Sequence, residues 1–264
     1  MLGGGVQKLT RGGVALCFTE AGSGAPPLVF VHGWTCDHTF FTPQVEYFSR
    51  AHRVVAVDLR GHGESDKPQQ DYAMAAFADD LAWLCGQIGL GKPVIIGHSM
   101  GGLIALEVAA RHPHLPAAIV TVDSPILPPE GTFEGLAPFV AALRTSAYQE
   151  AQRQFVEQML FIPTDDPARK ARILDVMSSA PRYVMASAFE NIARFDQAAA
   201  AAACKVPWLA LFAAHMFTDM PRLRAVCPHV VTGQTVGAGH FHQLEVPEQV
   251  NAMIERFLVT SLPQ

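Results

Sequence analysis

No apolar run in the 264 residues approaches the ~20 needed to cross a bilayer. The opening MLGGGVQKLTRGG also lacks the apolar stretch of about 7–15 residues that marks a secretory leader. A cytoplasmic protein without membrane attachment is therefore expected. Lys and Arg are few and scattered, and the net charge of -5 is mild, so no basic stripe exists to track phosphates and nucleic acid is not expected as a partner. The cysteines, Cys17, Cys36, Cys85, Cys204 and Cys227, are odd in number and widely spaced. With no C-x-x-C pair they suggest neither a metal site nor a redox motif, and they read as reduced core thiols. No metal and no cofactor is expected. What is present is apolar bulk: 50% of the residues are hydrophobic, enough to bury a sizeable core in one large or two small domains. Whether the chain forms a homo-oligomer is left open.

Short β-rich apolar runs alternate with longer segments of helical period, the pattern of an α/β fold with a mostly parallel sheet flanked by helices. Strands are expected at 13–19, 28–31, 53–58, 94–98, 118–123, 207–212 and 229–236. Most are continuous apolar runs, as strands covered on both faces require. Apolar residues at i, i+3, i+4 and i+7 predict helices at 73–89 and 100–112, and Pro247 opens another over 247–259. From Pro125 to about Asn191 no strand is apparent. Helical patterns such as FVAALRTSAYQEAQRQFVEQML are instead broken by Pro128, Pro129, Pro163, Pro167 and Pro181. That stretch is too long for an ordinary loop. It reads as a helical lid, 125–191, inserted into a core formed by 1–124 and 192–264 and lying beyond the carboxyl ends of the strands, where such sheets bind ligands. The alanine run Ala198 to Ala203 reads as a solvated helix.

Strand 94–98 runs through Gly97-His98-Ser99-Met100-Gly101 directly into a helix, a G-x-S-x-G in its strand-turn-helix setting. The tight turn lifts Ser99 above the sheet edge, the flanking small residues let strand and helix approach, and the helix N-terminus favours negative charge. A hydroxyl needs a base to act as nucleophile. His240 is the preferred base, since it leaves the last strand through the glycine-bracketed GAGH, with His242 as a local alternative; His52, His112, His114 and His229 sit at element ends and read as solvated. An acyl-transfer intermediate needs two oxyanion donors. One is the backbone N–H of Met100 and the other that of Trp34, in the early turn after LVFV.

HGW at 32–34, DLRGHGESD at 58–66, GHSMGG at 97–102 and GAGH at 237–240 together resemble the α/β-hydrolase fold superfamily, in the family's order and over nearly the whole chain. The resemblance implies that Asp58, Arg60, His62 and Ser65 form a structural loop, and that a catalytic acid lies between Ser99 and His240. The family most often keeps that acid in a G-x-x-D turn after the strand that here reads PWLALF. In this chain the glycine position is alanine, Met216 stands in the acid's slot, and Asp219 arrives three residues late. The second place used by relatives is the end of the preceding strand, where Asp123 is the better candidate; it is also a plausible turn residue before Ser-Pro.

The expected activity is hydrolysis of a carboxylic ester, lactone or thioester with a hydrophobic or aromatic part, through an acyl-serine. The substrate is a small molecule, with His38, Met216 and Phe217 among the residues expected to line its pocket. An alternative is a cofactor-independent ring-cleaving dioxygenase or C–C bond hydrolase, which the chain resembles in HGWTCDH and GHSMGG, with a His/Asp base and Ser99 auxiliary. Such dioxygenases carry histidine where Met100 stands, which favours hydrolysis. A binding module on the same scaffold is the third class.

Overall fold

A computed structural model describes residues 5–262. Among them, strands β1 (Gln7–Arg11), β2 (Val14–Ala21), β3 (Leu28–Val31), β4 (Val54–Asp58), β5 (Val94–His98), β6 (Ala118–Val122), β7 (Trp208–Phe212) and β8 (Val231–Gln234) form one sheet. Its order is β1-β2-β4-β3-β5-β6-β7-β8. The β1–β2 and β2–β4 pairs are antiparallel and every other pair is parallel. The helices are α1 (Thr42–Phe48), α2 (Met74–Gln87), α3 (Met100–Arg111), α4 (Ala137–Ala142), α5 (Tyr148–Met159), α6 (Pro167–Ser178), α7 (Arg182–Arg194), α8 (Gln197–Ala203), α9 (Met220–Val226), α10 (His242–Glu245) and α11 (Pro247–Ser261). None of them is long and apolar enough to cross a membrane.

The continuous apolar runs are needed because successive side chains of a strand face opposite sides of the sheet and both sides are covered. Leu28 and Phe30 join Phe41, Val45 and Phe48 of the α1 side and Val250, Ile254 and Phe257 of α11. Val29 and Val31 join Phe77, Leu81 and Leu84 of α2 and Leu103 and Ile104 of α3. From β3 the chain passes to β4 on one side and then crosses to β5 on the other. The reversal leaves a crevice beyond the carboxyl ends of β3 and β5, the place where open α/β sheets bind ligands.

Between β6 and β7 there is no strand among the described residues, only helical segments. Pro167 opens α6 and Pro181 caps α7, so these two prolines set helix starts; α7 itself runs past the expected boundary at 191 to Arg194. Two expectations need correcting. Strand β1 was not anticipated because its residues are mostly polar, yet it pairs with β2 through the two-residue Gly12-Gly13 loop. Both glycines have positive φ, +57° and +83°, and a Gly-Gly pair is the hairpin signal that could have found it. The alanine helix α8 is not simply solvated, since Ala200 and Ala201 are buried in the core. Alanine's small side chain lets this helix sit close to its neighbours.

Two histidines, His62 and His242, are buried deeply enough for desolvation to outweigh the charges around them. Burial, with help from His32, pushes His62 down to about 3, and burial pushes His242 down to about 4. The unfolded chain therefore takes up protons near 6.5 that the folded chain refuses, so stability is complete above that pH and is lost as pH falls toward the folded values. The cost reaches about 2 kcal/mol for each ring at pH 5. His38, raised by its bond to Asp58, works in the opposite sense. A urea midpoint that falls from pH 7 to pH 5 at constant slope is expected; a constant midpoint would mean that these rings charge inside the folded protein.

Candidate active site

Ser99 stands between β5 and α3 with φ +53° and ψ -119°, a backbone conformation that costs free energy for a residue other than glycine. The surroundings hold it there. Its N–H donates to the Val122 carbonyl of β6 at 2.9 Å. A Cβ on Gly97 would stand 2.0 Å from the Gly101 carbonyl oxygen, and one on Gly101 would stand 2.1 Å from that of Val31. Helix and strands thus meet backbone to backbone, and only Ser99 of this turn is turned partly outward.

Register brings the next residue in. His98 pairs with Val122 across β5 and β6, so Asp123, which follows β6, emerges beside the serine turn. Asp123 also has positive φ, +42°. Its N–H donates to the Leu211 carbonyl at 2.8 Å and its Oδ1 accepts the Ala213 N–H at 2.9 Å, both at the end of β7. The other oxygen, Oδ2, lies 2.7 Å from Nδ1 of His240, and both side chains are buried. A carboxylate accepts, so Nδ1 carries the proton and Nε2 is left with its lone pair. Gly237, at φ +70°, shapes the loop that carries His240 in. His242, the local alternative, is buried against Thr235, its Nδ1 2.9 Å from Oγ1, and does not line the cavity beside Ser99.

Asp219 is placed elsewhere. Its side chain caps α9 by accepting the Arg222 N–H at 3.0 Å, and its own N–H donates to Leu127. Of the segment His215-Met216-Phe217, only Phe217 reaches the cavity; Met216 is 46% exposed, which corrects its expected place in the pocket. His38 is a second correction. Its backbone N–H and its Nδ1 both lie against Asp58 Oδ1, at 2.7 and 2.9 Å, and it does not line the cavity. Asp58 also accepts the Glu64 N–H at 2.9 Å, while its carbonyl accepts the Ser65 hydroxyl at 2.6 Å, so this loop ties itself together. Burial alone would raise the Asp58 carboxyl, but the bond to His38 and its other partners hold it below its usual value.

The cavity beside Ser99 has a volume of about 180 Å³. Trp34 and Met100 line it from the sheet side; Phe155, Met159, Met177, Phe189 and Ile192 line it from the helices between β6 and β7. Neither the Trp34 N–H nor the Met100 N–H donates to an acceptor among the described residues. The Trp34 indole N–H, in contrast, donates to the Met185 carbonyl of α7 at 3.0 Å. Among the described residues no cluster of three or more His, Cys, Asp or Glu is disposed to hold a metal.

One residue at the site was missed in the sequence. His98 is fully buried, its Nε2 lies 2.9 Å from the His240 carbonyl oxygen, and burial holds it well below its usual pKa. A neutral ring facing a carbonyl must donate, so the residue before Ser99 grips the backbone of His240. Its place inside an apolar strand gave no signal beyond the presence of a polar residue where a hydrophobe was expected.

The family described as alpha/beta hydrolase fold matches residues 26–247. A 2-(acetamidomethylene)succinate hydrolase of Mesorhizobium japonicum is 38% identical over 117 residues, which is 44% of this chain and 42% of that protein. An AB hydrolase superfamily protein of Bacillus subtilis is 39% identical over 100 residues, 38% of this chain and 37% of that protein. The matched stretches thus span about two-fifths of those relatives. Among solved structures, an enol-lactonase from Burkholderia xenovorans superposes with a TM-score of 0.86 at 24% identity, covering 96% of this chain and 100% of that one. A thermophilic esterase from Thermogutta terrifontis gives 0.85 at 27% identity, covering 98% and 100%. At this level the first likeness shows a shared fold alone.

The helix cap at Asp219 has a measurable consequence. Asp219→Ala should lower stability by about 1 kcal/mol through loss of the cap. The turnover of any substrate should stay within about twofold. Thermal melts and initial rates on the same preparation check both, and a collapse of turnover with stability intact would return Asp219 to the site.

Proposed function

This chain belongs to the alpha/beta hydrolase fold family, and from that premise we propose that it is a serine hydrolase acting on a carboxylic ester, lactone or thioester through an acyl-serine intermediate. The observation that carries the reading is the buried 2.7 Å bond from His240 Nδ1 to Asp123 Oδ2, which leaves His240 with a basic Nε2 beside the cavity that Ser99 lines. Relatives named as a succinate-derivative hydrolase and an esterase support hydrolysis as the reaction type.

In this reading Ser99 Oγ attacks the substrate's carbonyl carbon while His240 Nε2 accepts the hydroxyl proton. The imidazolium that forms is stabilised by Asp123, which also holds the ring in the required tautomer. Negative charge collects on the carbonyl oxygen, and the unengaged N–H groups of Trp34 and Met100 receive it. Collapse of the intermediate expels the alcohol or thiol, which leaves with the proton from His240. Water then repeats the sequence on the acyl-serine, and the acid departs. Helices α4 to α7 act as a cap that covers the cavity and lowers its dielectric, which strengthens each of these charge interactions.

The test is a set of variants assayed on p-nitrophenyl esters. Ser99→Ala should abolish turnover and labelling by a fluorophosphonate. Asp123→Asn should lower kcat by about 10⁴-fold while leaving the fold intact. Oxygen-dependent loss of a 3-hydroxy-4-quinolone that survives Ser99→Ala would overturn the hydrolase in favour of cofactor-independent dioxygenation.

A further inference from the structure

The walls of the cavity carry a distinction finer than the reaction type. Apart from Asp123 and the histidines His98 and His240, its lining side chains are uncharged, and no Lys or Arg is among them. None of the helical segment's cations lines the cavity, and four of them are engaged elsewhere. Arg144 binds Glu190 through two 2.7 Å bonds, Arg153 binds Asp175 at 3.2 Å, Arg169 binds Asp165 at 3.3 Å, and Arg172 donates to Thr39 at 3.1 Å. A carboxylate drawn into this space would lose its hydration with nothing cationic to replace it, and would share the space with the Asp123 carboxyl.

The walls are also braced. Phe139 stacks on Phe155 at 4.2 Å and 14° from outside the cavity. Phe189 meets Trp34 edge-on at 5.1 Å and Phe155 at 5.5 Å. Trp34 is itself held by its bond to Met185. Such a box of rings has little freedom to swell. A cavity of about 150 Å³ accepts one benzene, so about 180 Å³ holds one ring or a branched chain of similar bulk.

We propose that this cavity selects substrates whose enclosed part is uncharged and about the size of one small ring, and that it excludes substrates whose enclosed part bears a carboxylate. The selection rests on the serine-hydrolase reading for its catalytic consequence, but the recognition itself precedes chemistry. Charge selection comes from the lack of a cation, and size selection from the braced rings. The open rim, where Met159 is 46% exposed, leaves the remainder of the substrate free to carry polar groups.

Two measurements separate this inference from the reading beneath it. The first is kinetic: p-nitrophenyl 5-methylhexanoate is compared with its near-isostere, the mono-p-nitrophenyl ester of glutaric acid, after subtraction of spontaneous hydrolysis. The neutral ester should have a kcat/KM at least about 100-fold higher, and p-nitrophenyl palmitate should be turned over more slowly than the benzoate. The second needs no turnover: 5-methylhexanamide and glutaramate are titrated into the Ser99→Ala protein by tryptophan fluorescence. The neutral amide should bind at least about 30-fold more tightly. Equal affinity for the two amides would overturn the charge selection whatever the chemistry. Failure of every ester together with no fluorophosphonate labelling would overturn the hydrolase reading, and a tighter neutral amide would then still support the cavity's selectivity.

Discussion

The bond from His240 to Asp123 joins residues 117 positions apart, and nearly every feature of the fold is a condition for it. Asp123 must leave β6 beside the end of β5, which the parallel register of those strands ensures. Its other oxygen must be held, and the Ala213 N–H at the end of β7 holds it. The imidazole must arrive from beyond β8, the last strand, by a loop that can take positive φ at Gly237. Both partners are buried, so the bond forms in a setting where it is stronger than in water and where a lone carboxylate or ring would be costly.

Two of the five non-glycine residues with positive φ among the described residues stand at the same place. Ser99 and Asp123 both adopt positive φ, and each is held by a backbone bond to the neighbouring strand. Such conformations persist only where surrounding structure over-determines them. Here the restraint is the sheet itself together with the contact of Gly97 and Gly101 against neighbouring backbone, where no Cβ fits. His98 adds a cross-tie from the serine turn to the His240 backbone. The site is therefore positioned by main-chain geometry and by the buried His98 more than by charge.

The helices between β6 and β7 contribute a different kind of constraint. Their aromatic residues converge on Trp34, which lines the cavity while its indole is tied to α7. Any movement of α7 must act on Trp34. The cavity wall and Trp34 are thus parts of a single packed unit.

Much of this was legible in the sequence because the relevant signals are local. Continuous apolar strands, helical periods and the G-x-S-x-G turn each depend on residues within about one element of each other. They sufficed for the α/β class, the mostly parallel sheet and the family. Strand β1 escaped because an edge strand needs no apolar run, and only its Gly-Gly turn marked it. The side-chain directions escaped for a different reason. His38 and Met216 lie near the right part of the chain, but whether a side chain faces a cavity, a carboxylate or solvent depends on packing between distant segments. By itself the sequence determined the apolar strands of the sheet and which turn carries the serine. The sequence could rank Asp123 above Asp219, but only the tertiary structure decided that Asp123 meets His240 while Asp219 caps a helix, because that contact rests on the register of β5, β6 and β7 and on a loop from beyond β8.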